Sequence, residues 1–188
     1  MARPRRVRAY IGLGANVGDP RATLTHAVRA LAALPGARLA GVSRLYRTRP
    51  VGVTAQPQFL NAAAALDVPA GRDPESGALA LLLALKGLER AFGRQDRPRW
   101  GPRELDLDLL VFGRHAIVAE GLAVPHPVAP ERLFVLAPLR DLAAALRPPG
   151  WGETVESAFR RRLGAEGEGA AKPIGDWDAA GGYWSARE

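Results

Sequence analysis

Arg99-Trp100-Gly101-Pro102-Arg103-Glu104-Leu105-Asp106-Leu107-Asp108-Leu109-Leu110 is the stretch on which the reading of this chain turns. Its second half alternates acid and leucine within an apolar run, the pattern of a β-strand. In a strand, residues i and i+2 face the same way, so Asp106 and Asp108 project from one face and Leu105, Leu107 and Leu109 from the other. Strand rise puts the two acidic Cα atoms about 6.5–7 Å apart. Two carboxylates so placed resist joint ionisation unless a cation lies between them. A carboxylate pair with open positions suits Mg²⁺, which takes oxygen ligands and keeps waters and substrate phosphates. Arg94, Arg97, Arg99 and Arg103 stand just upstream. The plainer alternative is that the acids form the solvated face of an ordinary strand. The Trp-Gly-Pro turn and the arginine cluster weigh against it.

Working outward, Val7 to Leu13 reads as a first strand, with Gly12-Leu13-Gly14 as a tight turn toward a helix. Asp19-Pro20 pairs an N-cap acceptor with proline at the first helical position. Leu24, Ala27, Val28 and Leu31 keep helical spacing up to Pro35-Gly36. Ala37 to Thr48 reads as a second strand, residues 49–57 as a Pro/Gly loop and Phe59 to Val68 as a third strand. Asp73-Pro74 repeats the cap, and Leu79, Leu82, Leu83 and Leu85 carry a helix to about Phe92. Glu104 to Phe112 is the fourth strand, with Gly113-Arg114 turning into Ile117-Val118. The order β-α-β-β-α-β predicts an α+β fold: a ferredoxin-like antiparallel sheet with both helices packed on it. The other face is left for later elements and a ligand. Pro125-His126-Pro127 starts a long turn. Leu133 to Leu146 suits a helix interrupted at Pro138. The expected organisation is one domain over residues 1–150 and a peripheral C-terminal extension over 151–188, with Gly164 to Gly182 lacking regular structure.

The 188 residues suit one domain with a sizeable core. Lys+Arg 26 against Asp+Glu 19 gives a net charge of +7, and Lys86 and Lys172 are the lysines. Arginine excess fits anionic partners such as phosphates. The absence of cysteine excludes disulfides and thiolate metal sites. The basic N-terminus is not followed by a signal-peptide core, and no apolar run approaches the ~20 residues needed to span a bilayer. A cytoplasmic protein with no membrane partner is expected.

Gly12-Leu13-Gly14-Ala15-Asn16-Val17-Gly18 is not a dinucleotide fingerprint, because its third glycine is one residue late and no acid follows at the ribose distance. A lysine-bearing phosphate loop is also missing. Any nucleotide phosphate must therefore be held by arginines and metal. Trp100, between Arg99 and Gly101, is placed to stack on a flat ring. Asn61, among apolar strand residues, can read donor and acceptor edges of a heterocycle. His126 is held between two prolines. Phe59 and Phe134, taken singly, read as core.

These residues also carry a family resemblance. The matching pieces are Tyr10-Ile11-Gly12-Leu13-Gly14-Ala15-Asn16, Tyr46-Arg47-Thr48-Arg49-Pro50-Val51-Gly52, Gln58-Phe59-Leu60-Asn61-Ala62-Ala63, Leu88-Glu89 with Gly93-Arg94, Arg99-Trp100-Gly101-Pro102-Arg103 with Leu105-Asp106-Leu107-Asp108, and Val124-Pro125-His126. Over roughly residues 7–146 the chain resembles the 6-hydroxymethyl-7,8-dihydropterin pyrophosphokinases of the folate pathway. The resemblance implies transfer of pyrophosphate from ATP to the pterin hydroxymethyl oxygen, with release of AMP. It implies two Mg²⁺ ions on Asp106 and Asp108. Arg94 and Arg103 would act on the transferring group, and Glu89, Arg99, Leu109, His126 and Arg132 would contact ATP. Thr48, Pro50, Val51, Phe59, Asn61, Trp100 and Phe134 would surround the pterin. The partners implied are these small molecules and no nucleic acid; neither composition nor motif fixes the oligomeric state, and a monomer is the working expectation. Polymerase-palm and cyclase enzymes share the paired carboxylates on such a sheet but release pyrophosphate. An RNA-recognition domain of similar topology needs an aromatic-bearing strand that this chain lacks.

Overall fold

A computed structural model describes residues 5–50, 52, 55–95 and 101–187. The strands are β1 (Arg6–Ala15), β2 (Arg38–Val42), β3 (Leu45–Thr48), β4 (Phe59–Pro69), β5 (Asp106–Phe112), β6 (Ile117–Ala119), β7 (Leu122–Val124), β8 (Ala171–Asp178) and β9 (Tyr183–Ala186). The helices are α1 (Pro20–Ala32), α2 (Pro74–Ala91), α3 (Leu133–Ala143) and α4 (Val155–Glu166). The main sheet runs β5-β1-β4-β3-β8-β9, with β2 also paired to β4, and these strand pairs are antiparallel. Its first half is the expected ferredoxin-like order. Strands β6 and β7 form a separate ribbon.

Both early helices begin as their caps dictate. The Asp19 side chain accepts from Ala22 N–H at 3.0 Å, and Asp73 exchanges hydrogen bonds with Ser76 in a capping box. The two helices cover one sheet face. Leu24, Val28 and Leu31 of α1 and Ala78, Leu81 and Leu85 of α2 share a buried cluster with Ile11, Leu13, Leu107 and Leu109. Helix α3 covers part of the other face, where Val135 and Leu139 meet Leu110 and Val111. A bulge puts these last two neighbours on one side: Tyr10 pairs with Val111 and Ile11 with Leu109, so Leu110 is the extra residue.

Several expectations are corrected. The strand expected over Ala37 to Thr48 is two strands broken at Ser43-Arg44. There side chains intervene in the hydrogen bonding: Ser43 Oγ accepts from Ala63 N–H at 2.8 Å, and Asp141 accepts from Arg44 N–H at 3.0 Å. Helix α3 runs unbroken through Pro138. A mid-helix proline costs about 3 kcal/mol, but its neighbours Leu136, Ala137 and Leu139 are buried and hold the segment in place. Gly164 to Gly182 is not irregular, since it contains the end of α4 and all of β8. Strand β8 pairs with β3, and the Trp184 ring of β9 enters the core under α1, where its N–H donates to the Ser43 carbonyl at 2.8 Å. Aromatic and β-branched spacing in this stretch is too sparse to reveal a strand, but burying the Trp184 indole, with Trp177 partly buried against it, supplies the missing driving force. Among the described residues no helix is long and apolar enough to cross a membrane.

Candidate active site

The acid pair lies where the sequence places it, and the neighbouring strand explains why the site is open. Asp106 pairs with Gly14 of β1 and Asp108 with Gly12. Gly14 in turn pairs with Asn61 of β4, which pairs with Tyr46 of β3. A Cβ at Gly14 would stand 3.0 Å from Asn61 Oδ1. Gly14 therefore keeps the floor flat between Asp106 and the amide, while Gly12 lies beside Asp108 and Leu110. Both glycines belong to the strand and not to the expected turn, because β1 continues to Ala15.

A cavity of about 280 Å³ opens over this floor. Thr48, Phe59 and Asn61 line one part of it, and Asn61 Nδ2 donates to Thr48 Oγ1 at 2.6 Å. Asp106, Asp108, Lys86, Arg94 and Arg103 line another part. Arg132, Phe134 and His126 complete the wall, with the Arg132 guanidinium 5.7 Å from the Phe134 ring centre. An adjoining cavity shares Lys86, Asp108 and His126 and is otherwise mainly apolar, with Leu82, Leu109 and Leu122 on its wall.

The charges are held by one buried acid. Glu89, 2% exposed, lies behind the cavity wall. Its Oε1 accepts from Leu107 N–H at 2.7 Å and Lys86 Nζ at 2.9 Å, and pairs with Arg94 Nη1 at 2.5 Å. Arg94 Nη1 also donates to Asp106 Oδ1 at 2.7 Å. Burial opposes the Arg94 charge, but Asp106 and Glu89 outweigh it and raise the pKa. Burial, then the Asp106 charge, pushes Asp108 up to about 6, against the pull of Lys86 and Arg132. Burial and then Arg132 lower the pKa of His126, whose buried Nδ1 has no hydrogen-bond partner.

Asn16 fixes the rim. It is 4% exposed, and its Nδ2 donates to Gln56 Oε1 and to the Pro57 carbonyl, each at 3.1 Å. Its Oδ1 accepts from Arg103 N–H at 2.8 Å. The end of β1 is thereby tied to both flanking segments.

The structure thus brings together Arg94, Arg103, Asp106, Asp108, His126, Arg132, Thr48, Phe59, Asn61 and Phe134. Leu109 belongs to the adjoining cavity, and Glu89, expected at the nucleotide, sits behind the wall instead. Pro50 follows β3 and is not among the lining residues. Val51, Arg97, Arg99 and Trp100 lie outside the described residues. Sequence reading missed Lys86, whose signal was its position three residues before Glu89 on a helix, and Arg49 on the cavity wall.

A family model described as 7,8-dihydro-6-hydroxymethylpterin-pyrophosphokinase (HPPK) matches residues 10–144. A 2-amino-4-hydroxy-6-hydroxymethyldihydropteridine pyrophosphokinase of Methylorubrum extorquens is 44% identical over 154 residues, covering 82% of this chain and 92% of that protein. The protein of the same name from Pseudomonas aeruginosa is 44% identical over 142 residues, covering 76% of this chain and 84% of that one. Among solved structures, a crystal structure of Plasmodium falciparum HPPK-DHPS superimposes with a TM-score of 0.73 at 13% identity, over 99% of this chain and 49% of that one. This chain spans about half of that longer protein, and the likeness is one of fold.

Proposed function

The chain belongs to the 7,8-dihydro-6-hydroxymethylpterin-pyrophosphokinase family, and from that premise we propose how its cavity performs the family's reaction. That reaction transfers pyrophosphate from ATP to the hydroxymethyl oxygen of 6-hydroxymethyl-7,8-dihydropterin, releases AMP and belongs to folate biosynthesis. The observation that carries the assignment is the shared floor: Asp106, Gly14 and Asn61 lie in register on three adjacent strands, so a phosphate site and a ring site face one cavity.

The donor set fits Mg²⁺. Asp106 and Asp108 offer hard oxygen ligands, and the burial that raises Asp108 is relieved by a cation. Two carboxylates alone leave coordination positions for waters and phosphates. On this reading Asp106 and Asp108 hold two ions. Bound there, Mg²⁺ supplies charge neutralisation to the ATP phosphates.

The protein's own groups do the rest by position and charge, since attack on the β-phosphorus requires in-line placement and no covalent enzyme group. Arg94 and Arg103 neutralise the group in transfer. Arg132, His126 and Arg99 contact ATP, and Leu109 lines the apolar cavity beside them. Glu89 positions Lys86 and Arg94. Asn61, oriented by Thr48, reads the pterin edge, with Phe59 and Phe134 beside the ring and Pro50, Val51 and Trp100 completing its site. These residues all fall within residues 1–150, the pyrophosphokinase domain, to which 151–188 is an extension. On this reading the chain works as a monomer. Its partners are ATP and the dihydropterin rather than nucleic acid, in the cytoplasm.

The test is product identity. Incubation with ATP, Mg²⁺ and the hydroxymethyl dihydropterin yields AMP in step with pterin consumed. Formation of ADP, or of free pyrophosphate alone, overturns the assignment.

A further inference from the structure

Arg94 is shared between two acids of different character. Glu89 is 3% exposed at its side chain and is also bonded to Lys86 and to the Leu107 N–H. Asp106 is 36% exposed at its side chain and faces the cavity. One Arg94 nitrogen, Nη1, reaches both, at 2.5 Å from Glu89 Oε1 and 2.7 Å from Asp106 Oδ1. The second contact uses an oxygen of a carboxylate that the reading above assigns to a divalent cation. A guanidinium and a divalent cation repel each other, and both seek that carboxylate.

We propose that Arg94 is the built-in counter-ion of Asp106, so that binding of a divalent cation and release of Arg94 from Asp106 are one exchange. Glu89 is the pivot of that exchange. A buried carboxylate is costly to leave without its cations, so Arg94 keeps Glu89 when it gives up Asp106. Its freed donors then face the cavity beside the acids, where phosphate enters. The same side chain thus neutralises the carboxylate before the cation arrives and the substrate afterwards. The coupling is reciprocal: the factor by which the cation weakens the Arg94–Asp106 contact is the factor by which that contact weakens cation binding.

The inference rests on the assignment of Asp106 and Asp108 as cation ligands, and the experiment separates the two. Mn²⁺ alone, with no nucleotide, is titrated into the full chain and free Mn²⁺ is read by electron paramagnetic resonance. Arg94→Met, which keeps length and loses charge, lowers the Mn²⁺ dissociation constant about tenfold, and Arg94→Lys falls between it and the parent. Asp108→Asn, which leaves the Arg94 contacts in place, loses binding. Unchanged or weaker Mn²⁺ affinity in Arg94→Met, with binding lost in Asp108→Asn, overturns the exchange and leaves the ligand assignment standing. Retained affinity in Asp108→Asn overturns both. A second measurement needs no neutral variant. In the parent, Mg²⁺ alone shifts the ¹⁵N signal of the Arg94 guanidinium, identified by its loss in Arg94→Lys. A signal unmoved at saturating Mg²⁺ overturns the exchange.

Discussion

Asn16 and Arg103 are joined twice: the Asn16 N–H donates to the Arg103 carbonyl at 3.0 Å, and the Arg103 N–H donates to Asn16 Oδ1 at 2.8 Å. The pairing sets the backbone from which the Arg103 side chain reaches the cavity. Asn16→Ala removes the acceptor of a partly buried N–H, a loss of about 1–3 kcal/mol, and also removes the donors to Gln56 and Pro57. Turnover falls at least tenfold at saturating substrates, beyond the loss of folded protein. Asn16→Asp keeps the acceptor and gives a smaller loss. Steady-state kinetics beside a thermal melt decide the matter: a lower Tm with unchanged kcat would show that Asn16 is only a structural staple.

The Gly14 floor gives a prediction about substrate discrimination. An alanine Cβ at Gly14 would press on Asn61 Oδ1 from 3.0 Å while Thr48 holds the other end of the amide at 2.6 Å. Gly14→Ala raises KM for the dihydropterin about tenfold and leaves KM for ATP near its parent value. At Gly12 the nearest atom to a new Cβ is a Leu110 methyl carbon at 3.4 Å, so Gly12→Ala has the smaller effect. Equal changes in both Michaelis constants would count against the ring site.

The Asp108 carboxyl gives a pH dependence with a definite sign. Its pKa is about 6 in the fold against 3.8 for the free group, so the folded state holds the proton more tightly. The group's stabilising contribution is full below pH 3.8 and is lost as pH rises through about 6. Asp108→Asn removes that loss. Metal-free Asp108→Asn melts above the parent at pH 7.5, by about 2–4 °C for each kcal/mol relieved, and the difference shrinks toward pH 4. The same variant has no turnover. A pH-independent difference in Tm would refute the burial argument.

Trp184 is the anchor of the hairpin that completes the sheet. Its ring stands edge-on to Trp177 with centroids 4.7 Å apart, and it is 2% exposed. Trp184→Ala costs about 3–5 kcal/mol in urea unfolding, while Trp184→Phe costs less because most of the buried area remains. Folded Trp184→Ala keeps both Michaelis constants. A loss of about 0.5 kcal/mol or less, the size of an ordinary surface substitution, would mean that the hairpin is a loosely attached appendage.

The sequence was most legible where a local signal and a buried face agreed. Asp19-Pro20 and Asp73-Pro74 mark their helices because the cap chemistry is local. Asp106 and Asp108 reveal their common face because strand alternation needs no partner. The division at Ser43-Arg44 depends on Ala63, Asp141 and Trp184, which are distant in the chain and leave no trace in its periodicity. Strands β8 and β9 were hidden for the same reason: their stability comes from pairing with β3 and from Arg21, whose guanidinium donates to the Ile174 and Trp184 carbonyls. In the site, residue types and spacing pointed to the acids and arginines. They could not reveal that Glu89 lies behind the wall, which depends on how α2 packs against β5. Nor could they distinguish glycines that turn a chain from glycines that clear a floor.

The pairing of β3 with β8 joins segments 123 positions apart, from Thr48 to Ala171, and so sets an order on biosynthesis. The ribosome releases β3 long before it makes β8. Throughout that interval β3 presents an unpaired edge, and the space under α1 lacks the Trp184 indole. Open edges are templates for pairing with other chains. The nascent protein therefore keeps this open edge until residues 171–186 emerge. The hairpin acts as a closing seal on the newborn sheet, and chaperone demand falls once it docks.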